Sequence, residues 1–171
     1  MGKWKVGVIS ASDTIARGAR VDDRIPIIRK LTTEWLHVDV AIYRAVADDM
    51  EDLQENMIEL VDREKCDLLI VTGGTGLSPR DVTPEVTGWV IDRPVPGLAE
   101  EMRRASLQHS RRAMLTRAVA GTRGNSLIIN LPGNPMGVEI CYNAIGDMLS
   151  DALHILQGTG KANEDWGGLG W

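Results

Sequence analysis

The sequence predicts an α/β fold, a three-layer αβα sandwich on a mostly parallel sheet, and three observations predict it. Apolar runs rich in β-branched residues alternate with amphipathic segments at helical spacing over the first half of the chain. A glycine-rich turn, Gly73-Gly74-Thr75-Gly76, directly follows the third apolar run, at the strand end where such sheets bind ligands. With 171 residues, 43% apolar and 25% charged, the chain can cover both faces of one sheet but is too short for two such domains.

Taken in order, residues 4–10 predict a strand, and 23–35 a helix with Ile25, Ile28, Leu31 and Trp35 near helical spacing. Residues 37–46 predict a second strand and 50–64 an amphipathic helix with Leu53, Met57, Leu60 and Val61 on one face. A third strand spans 67–72. Helices follow over 83–93, with Thr83 as N-cap and Pro84 at its first position, and over 96–110. Strands are expected at 114–120 and 126–131 around a turn at 121–125. The break Pro132-Gly133-Asn134-Pro135 leads into a closing helix over 138–157 with Ile140, Ala144, Ile145, Met148, Leu149, Ala152, Ile155 and Leu156 inward. The folded domain is placed at 1–157. The glycine-rich tail 158–171, with Trp166 and Trp171, has too little apolar mass to fold alone and is expected to be a flexible or docking segment.

Composition removes several function classes. No apolar run is long enough to span a membrane and no secretory h-region opens the chain, which places it in the cytoplasm as an expectation. The net charge of −5 argues against a nucleic-acid partner. Cys66 and Cys141 lack metal-ligand or redox spacing and read as buried thiols, and His37, His109 and His154 are scattered, so zinc chemistry is not indicated. Charge is unevenly spread: residues 48–64 are rich in acids, whereas 102–138 hold Arg103, Arg104, Arg111, Arg112, Arg117 and Arg123 and no acid. No lysine occurs between Cys66 and Lys161, so a cation supplied to a site from this region must be arginine.

The run Val71 to Glu85, VTGGTGLSPRDVTPE, carries the functional signal. Glycines let backbone N–H groups approach a ligand closely, and the following helix start adds unpaired donors and a positive dipole end. An anion, phosphate first, is the expected ligand. The loop is not a Walker A motif, because no Gly-Lys pair lies at the required spacing, nor a dinucleotide fingerprint, because the first strand runs instead into Ser10-Ala11-Ser12-Asp13. By residue type alone Asp81 and Thr83 serve equally as caps of the next helix, Asp48 as an N-terminal helix acid, and Ser12-Asp13 as turn residues.

Four pieces, in order, resemble the molybdenum-cofactor biosynthesis domain of the bacterial MogA and MoaB proteins and of gephyrin. They are Ser10-Ala11-Ser12-Asp13 after the first strand, Asp48 after the second, Thr72 to Glu85 as T-G-G-T-G-x-x-x-R-D-x-T-P-E, and Leu131 to Pro135 as L-P-G-x-P. The resemblance implies a molybdopterin adenylyltransferase that joins ATP and molybdopterin and releases pyrophosphate with Mg²⁺, acts as a homotrimer and hands on to a molybdate-insertion partner protein. It implies a metal and catalytic role for Asp48 and Asp81. Ser12, Asp13, Gly73, Gly74, Thr75, Gly76, Arg80, Thr83, Glu85, Pro132, Gly133, Asn134 and Pro135 are implied as substrate contacts. Two unit charges about 4 Å apart repel by about 1 kcal/mol in water and about 4 kcal/mol at an effective dielectric near 20, so bringing two phosphates together needs a divalent cation and fixed donors. The sequence departs from the pattern at Met136, where several adenylyltransferases carry lysine, and around Asp22-Asp23-Arg24-Ile25. Met136 keeps open the alternative of a MoaB-type molybdopterin-binding protein without adenylylation activity.

Overall fold

The computed structural model of the protein describes residues 4–159. Its strands are β1 (Val6–Ala11), β2 (Val40–Val46), β3 (Leu68–Thr72), β4 (Arg93–Pro94), β5 (Ala120–Arg123) and β6 (Ser126–Leu131). Its helices are α1 (Asp13–Ala16), α2 (Ile25–Leu36), α3 (Met50–Ile58, continued by a π-helical turn at Glu59–Arg63), α4 (Thr83–Val90), α5 (Pro96–Leu107) and α6 (Pro135–Leu156). The strands form one sheet in the order β2-β1-β3-β6-β5-β4. β2, β1, β3 and β6 are parallel, and β5 and β4 close the far edge antiparallel, so the expected mostly parallel sandwich is what forms.

Side-chain alternation divides the core into two layers. Val6, Val8, Leu68, Ile70, Leu127 and Ile129 pack on one face with α2, α5 and α6. Ile9, Leu69, Val71 and Ile128 pack on the other with α3 and α4, where Leu53, Met57, Leu60 and Val61 form the expected inward stripe. β1, β3 and β6 are buried along their whole length, which explains why their sequences are apolar on both faces. The chain leaves β1 for one side of the sheet, to β2, and then crosses to β3 on the other. That reversal opens a crevice at the carboxyl ends of β1 and β3, the place where open α/β sheets bind ligands.

Several local expectations need correction. The closing helix starts at Pro135 and buries Val138, Cys141, Tyr142, Ile145, Gly146, Leu149 and Leu153, leaving Met148 and Ile155 exposed. Glu139, Asn143, Asp147, Ser150, Asp151 and His154 share one polar face, but the apolar arc opposite is wider than the stripe that is buried, so the pattern alone does not mark which apolar residues turn inward; packing against α2 and α5 does. Trp35 is partly exposed and lies over Gly146, donating from Nε1 to Asn143 Oδ1 at 3.0 Å. The segment 114–120, expected as a strand, instead begins in a 3₁₀ turn, Arg111–Leu115, and β5 occupies Ala120–Arg123, in place of the expected turn. The hairpin turn itself is only Gly124-Asn125, with Gly124 in the left-handed region.

Gly121 sits in β5 because of close approach rather than a bend: a Cβ there would lie 2.5 Å from Ile91 Cδ1 and 2.7 Å from the Arg93 carbonyl oxygen. Gly121→Val should therefore destabilise the fold by about 1–3 kcal/mol through overpacking against backbone. An unchanged thermal midpoint would show that β4 and β5 are not held this tightly. The expected tail begins at 158; its part from residue 160 onward lies outside the described residues.

Candidate active site

All four parallel strands deliver their carboxyl ends to one edge of the sheet. β1 delivers Ser12 and Asp13, β2 leads to Asp48, β3 opens into Gly73 to Gly76, and β6 leads into Pro132 to Asn134. The edge holds two chambers. A cleft of about 740 Å³ is lined by Gly74 to Leu77, Pro132, Gly133, Asn134, Met136 and the stretch from α5 to the 3₁₀ turn, including Ser106, His109 and Arg112. A smaller one of about 130 Å³ is lined by Ser12, Arg20, Arg24, Asp48 and Gly73. Gly74, Asp81 and Gly133 belong to both walls, so the glycine turn is the partition between the chambers.

The turn's geometry requires its glycines. Gly73 and Gly74 have positive φ values of 98° and 61°. A Cβ on Gly73 would collide with the Ala11 carbonyl and lie 2.8 Å from an Arg24 guanidinium nitrogen; one on Gly74 would lie 2.5 Å from Thr83 Oγ1. The Gly73 N–H donates to the Leu131 carbonyl at 3.1 Å, so the donors left for an anion are those of Gly74, Thr75 and Gly76. Thr83 is not the N-cap expected of it: the cap position is Val82, and Thr83 opens α4. Its hydroxyl is buried under Gly74 without a partner among the described residues, an orphaned polar atom aimed at the partition.

Asp48 is likewise not a helix cap. Asp49 caps α3, accepting from the N–H groups of Glu51 and Asp52 at 3.0 Å each, which frees Asp48 to face the crevice. Asp48 and Asp13 clasp each other reciprocally: the Asp13 N–H donates to Asp48 Oδ2 at 3.2 Å and the Asp48 N–H to Asp13 Oδ1 at 3.1 Å. Burial, together with the nearby Asp13 and Asp81 carboxylates, holds the Asp48 carboxyl above the usual carboxylate range despite the Asp13 N–H and Arg80. A carboxylate so placed is relieved by a cation. Among the described residues no group of three or more His, Cys, Asp or Glu converges on a metal position. Asp48 and Asp81 instead provide two carboxylates facing the small chamber, which fits Mg²⁺ completed by phosphate oxygens and water.

Other expected residues act on the site's framework. Arg80 is ion-paired to Asp13 and mostly exposed, and Asp81 Oδ2 accepts from the Ser78 N–H at 3.0 Å, folding the loop back on itself. Glu85 pairs with Arg117. Arg117 is visible in the sequence only as one arginine of a basic stretch; it donates to the carbonyls of Gly76 at 2.7 Å and Asp81 at 2.6 Å and so clamps the loop from outside. Asn134 accepts from the Gly137 N–H at 2.8 Å as N-cap of α6, so the Pro-Gly-Asn run is at once chamber wall and helix cap. Pro135 starts the helix and does not line either chamber. Arg123, one of the arginines available as a site cation, is instead tied to Asp62 and the Val90 carbonyl. The buried pair Asp22–Arg24 carries no local sequence signal, because a charged residue opening a helix ordinarily reads as solvated.

Both cysteines are buried, as expected. Burial pushes the Cys66 thiol up to about 11, where under about 1% is thiolate at pH 8. Cys66 should resist Ellman's reagent at pH 8 in the folded protein and react once denaturant is added; fast labelling of the native state would contradict its placement. Among the described residues no helix is long and apolar enough to cross a membrane.

Fold and site together define an α/β domain with a two-chambered pocket at the carboxyl ends of its parallel strands, divided by a glycine turn and edged by paired acids. The chain belongs to the family described as the probable molybdopterin binding domain, whose model matches residues 7–151. It is 37% identical over 155 residues to the molybdopterin adenylyltransferase of Helicobacter pylori J99, covering 90% of this chain and 88% of that protein. It is 36% identical over 148 residues to that of Escherichia coli K12, covering 86% and 76%. Its structure is similar to that of the molybdopterin biosynthesis enzyme MoaB from Thermus thermophilus, with a TM-score of 0.86, 40% identity, and 92% and 99% of the two chains covered.

Proposed function

We propose that the chain is a molybdopterin adenylyltransferase, joining ATP and molybdopterin to give adenylyl-molybdopterin and pyrophosphate. The observation that carries this reading is the meeting of Asp48, Asp81 and the Gly73–Gly76 turn at the partition between two chambers. Two substrates entering from the two sides would bring their phosphates together there, and the larger chamber has the volume of a small-molecule site. A terminal phosphate oxygen of molybdopterin attacks the α-phosphorus of ATP, a new P–O–P bond forms, and the bond to the β-phosphate oxygen breaks to release pyrophosphate.

The chain's own residues hold the reacting groups. The N–H groups of Gly74, Thr75 and Gly76 face the phosphates, the Thr83 hydroxyl reaches the same point from below, and Arg117 keeps the loop in register through its carbonyls. Asp48 and Asp81 would hold Mg²⁺, which when bound neutralises phosphate charge and makes the α-phosphorus more electrophilic. The reaction belongs in the cytoplasm, with the product passed to a molybdate-inserting partner. The active form is a homotrimer, a reading supported by the exposed apolar side chains of Leu77 and Leu115 at the rim of the larger cleft and of Met114 beside Leu115 in sequence; sedimentation tests it.

A second reading is favoured by Met136, which is 68% exposed on the wall of the larger cleft and brings no charge to it. A MoaB-type protein would bind molybdopterin without adenylylating it. Mixing the protein with molybdopterin, Mg²⁺ and ATP should release pyrophosphate in a pterin-dependent manner. Calorimetry that finds pterin binding but no Mg-ATP binding, with no pyrophosphate formed, selects the second reading.

A further inference from the structure

We propose, resting on the adenylyltransferase reading for the identity of the ligand, that Arg24 is the fixed cation of the phosphate site, reaching the bound phosphoryl group from beneath the glycine turn. Arg24 is only 3% exposed, yet it lines the small chamber together with Asp48, Gly73, Gly74, Asp81 and Gly133. Its guanidinium nitrogen Nη1 lies 2.8 Å from where a Gly73 Cβ would stand and 3.8 Å from the same point on Gly133. The two loops that close over it therefore both present glycine at this point, and neither glycine puts a side chain between the guanidinium and the chamber.

The placement breaks a local rule. Arg24 is the N-cap residue of α2, where the helix dipole disfavours a cation. It is kept there by Asp22, which accepts from Arg24 Nε at 2.8 Å, from Nη2 at 3.2 Å and from the Arg24 N–H at 3.1 Å. Asp22 is itself fastened by the hydroxyls of Ser10 and Tyr43. Nη1 also donates to the Thr72 carbonyl at 3.3 Å, so three of the five side-chain N–H groups are engaged and the fork is rigid. A buried guanidinium held against the dipole of its own helix, under two glycines, is arranged for an anion that arrives from the chamber. The other cations nearby are less suited: Arg80 is mostly exposed and ion-paired to Asp13, and Arg20 is exposed and paired to Asp23.

The test measures affinity of the folded protein for inorganic pyrophosphate by calorimetry, below the thermal midpoint of each variant. The double variant Asp22→Asn with Arg24→Gln removes both buried charges together, a change that such pairs tolerate, and leaves an amide oxygen in place of the carboxylate to accept from Ser10 and Tyr43. It should bind pyrophosphate at least tenfold more weakly than the wild type. A folded double variant within twofold of the wild type overturns the assignment and leaves Arg24 as a packing residue. If the double variant does not fold, Arg24→Lys decides: it keeps the charge but not the fork, and its affinity should drop at least threefold, whereas unchanged affinity overturns the proposal. Failure of the enzymatic reading is separate, because pyrophosphate binding that depends on Arg24, in a wild type that never adenylylates a pterin, would retire the adenylyltransferase and keep the cation.

Discussion

Asp81→Asn is expected to lower pterin-dependent pyrophosphate release at least about 100-fold, the scale on which loss of one electrostatic contact to a transition state acts. The substitution is structurally gentle. Asp81 Oδ2 accepts from the Ser78 N–H at 3.0 Å, and an asparagine oxygen can take the same bond, so the loop keeps its turn. What is lost is one negative charge beside Asp48, and with it half of the carboxylate pair proposed for Mg²⁺. The thermal midpoint should stay within about 2 °C of the wild type, since a loop charge of this kind contributes little to stability. Turnover at the wild-type rate, in a protein shown to be folded, would remove Asp81 from the reaction.

Asp22→Asn alone should have the largest effect on stability, about 3–5 kcal/mol, because it leaves the Arg24 guanidinium buried without its counter-charge. For a domain of this length that corresponds to a fall of roughly 10 °C in thermal midpoint. The sign of the pH dependence follows from the native carboxyl. Burial would raise the Asp22 carboxyl, but the hydrogen bonds from Arg24 and Ser10 and the Arg24 charge outweigh it and hold the group below its ordinary 3.8. A depressed acid contributes stability that is fully present above the unfolded value and is lost as pH falls through the folded one. The gap between wild type and Asp22→Asn should therefore be complete near neutrality and narrow below about pH 4. A gap that is constant down to pH 3, or absent at pH 7, would show that the pair does not hold the β1–α2 corner together.

These two predictions draw on different degrees of legibility. Gly73 and Gly74 can be read from the sequence because they follow an apolar strand at the edge where parallel topology gathers loops, whereas Asp48, Asp81 and Gly133 are singled out only by the ordered motifs of the family resemblance. Arg24 and Arg117 can be read in neither way. Their roles depend on partners distant in the chain, Arg24 against Thr72 and Arg117 against Gly76 and Asp81. Thr83 suggests a cap because its residue type suits capping, whereas the structure turns its hydroxyl toward Gly74. β5 is hidden for a related reason: Gly121 reads locally as turn chemistry, but it is glycine because Ile91 and Arg93 press against it from the neighbouring segment. In each case local residue preference points one way and a tertiary contact decides the other.

In the proposed reaction the partition between the two chambers is where a phosphate of one substrate attacks the α-phosphorus of the other. ATP labelled in its α-phosphate, incubated with the protein, molybdopterin and Mg²⁺, follows that transfer atom by atom. Label should appear on the pterin in a one-to-one ratio with the pyrophosphate released. Pyrophosphate released while the label remains on free AMP, or pterin bound with no label transferred, would contradict it.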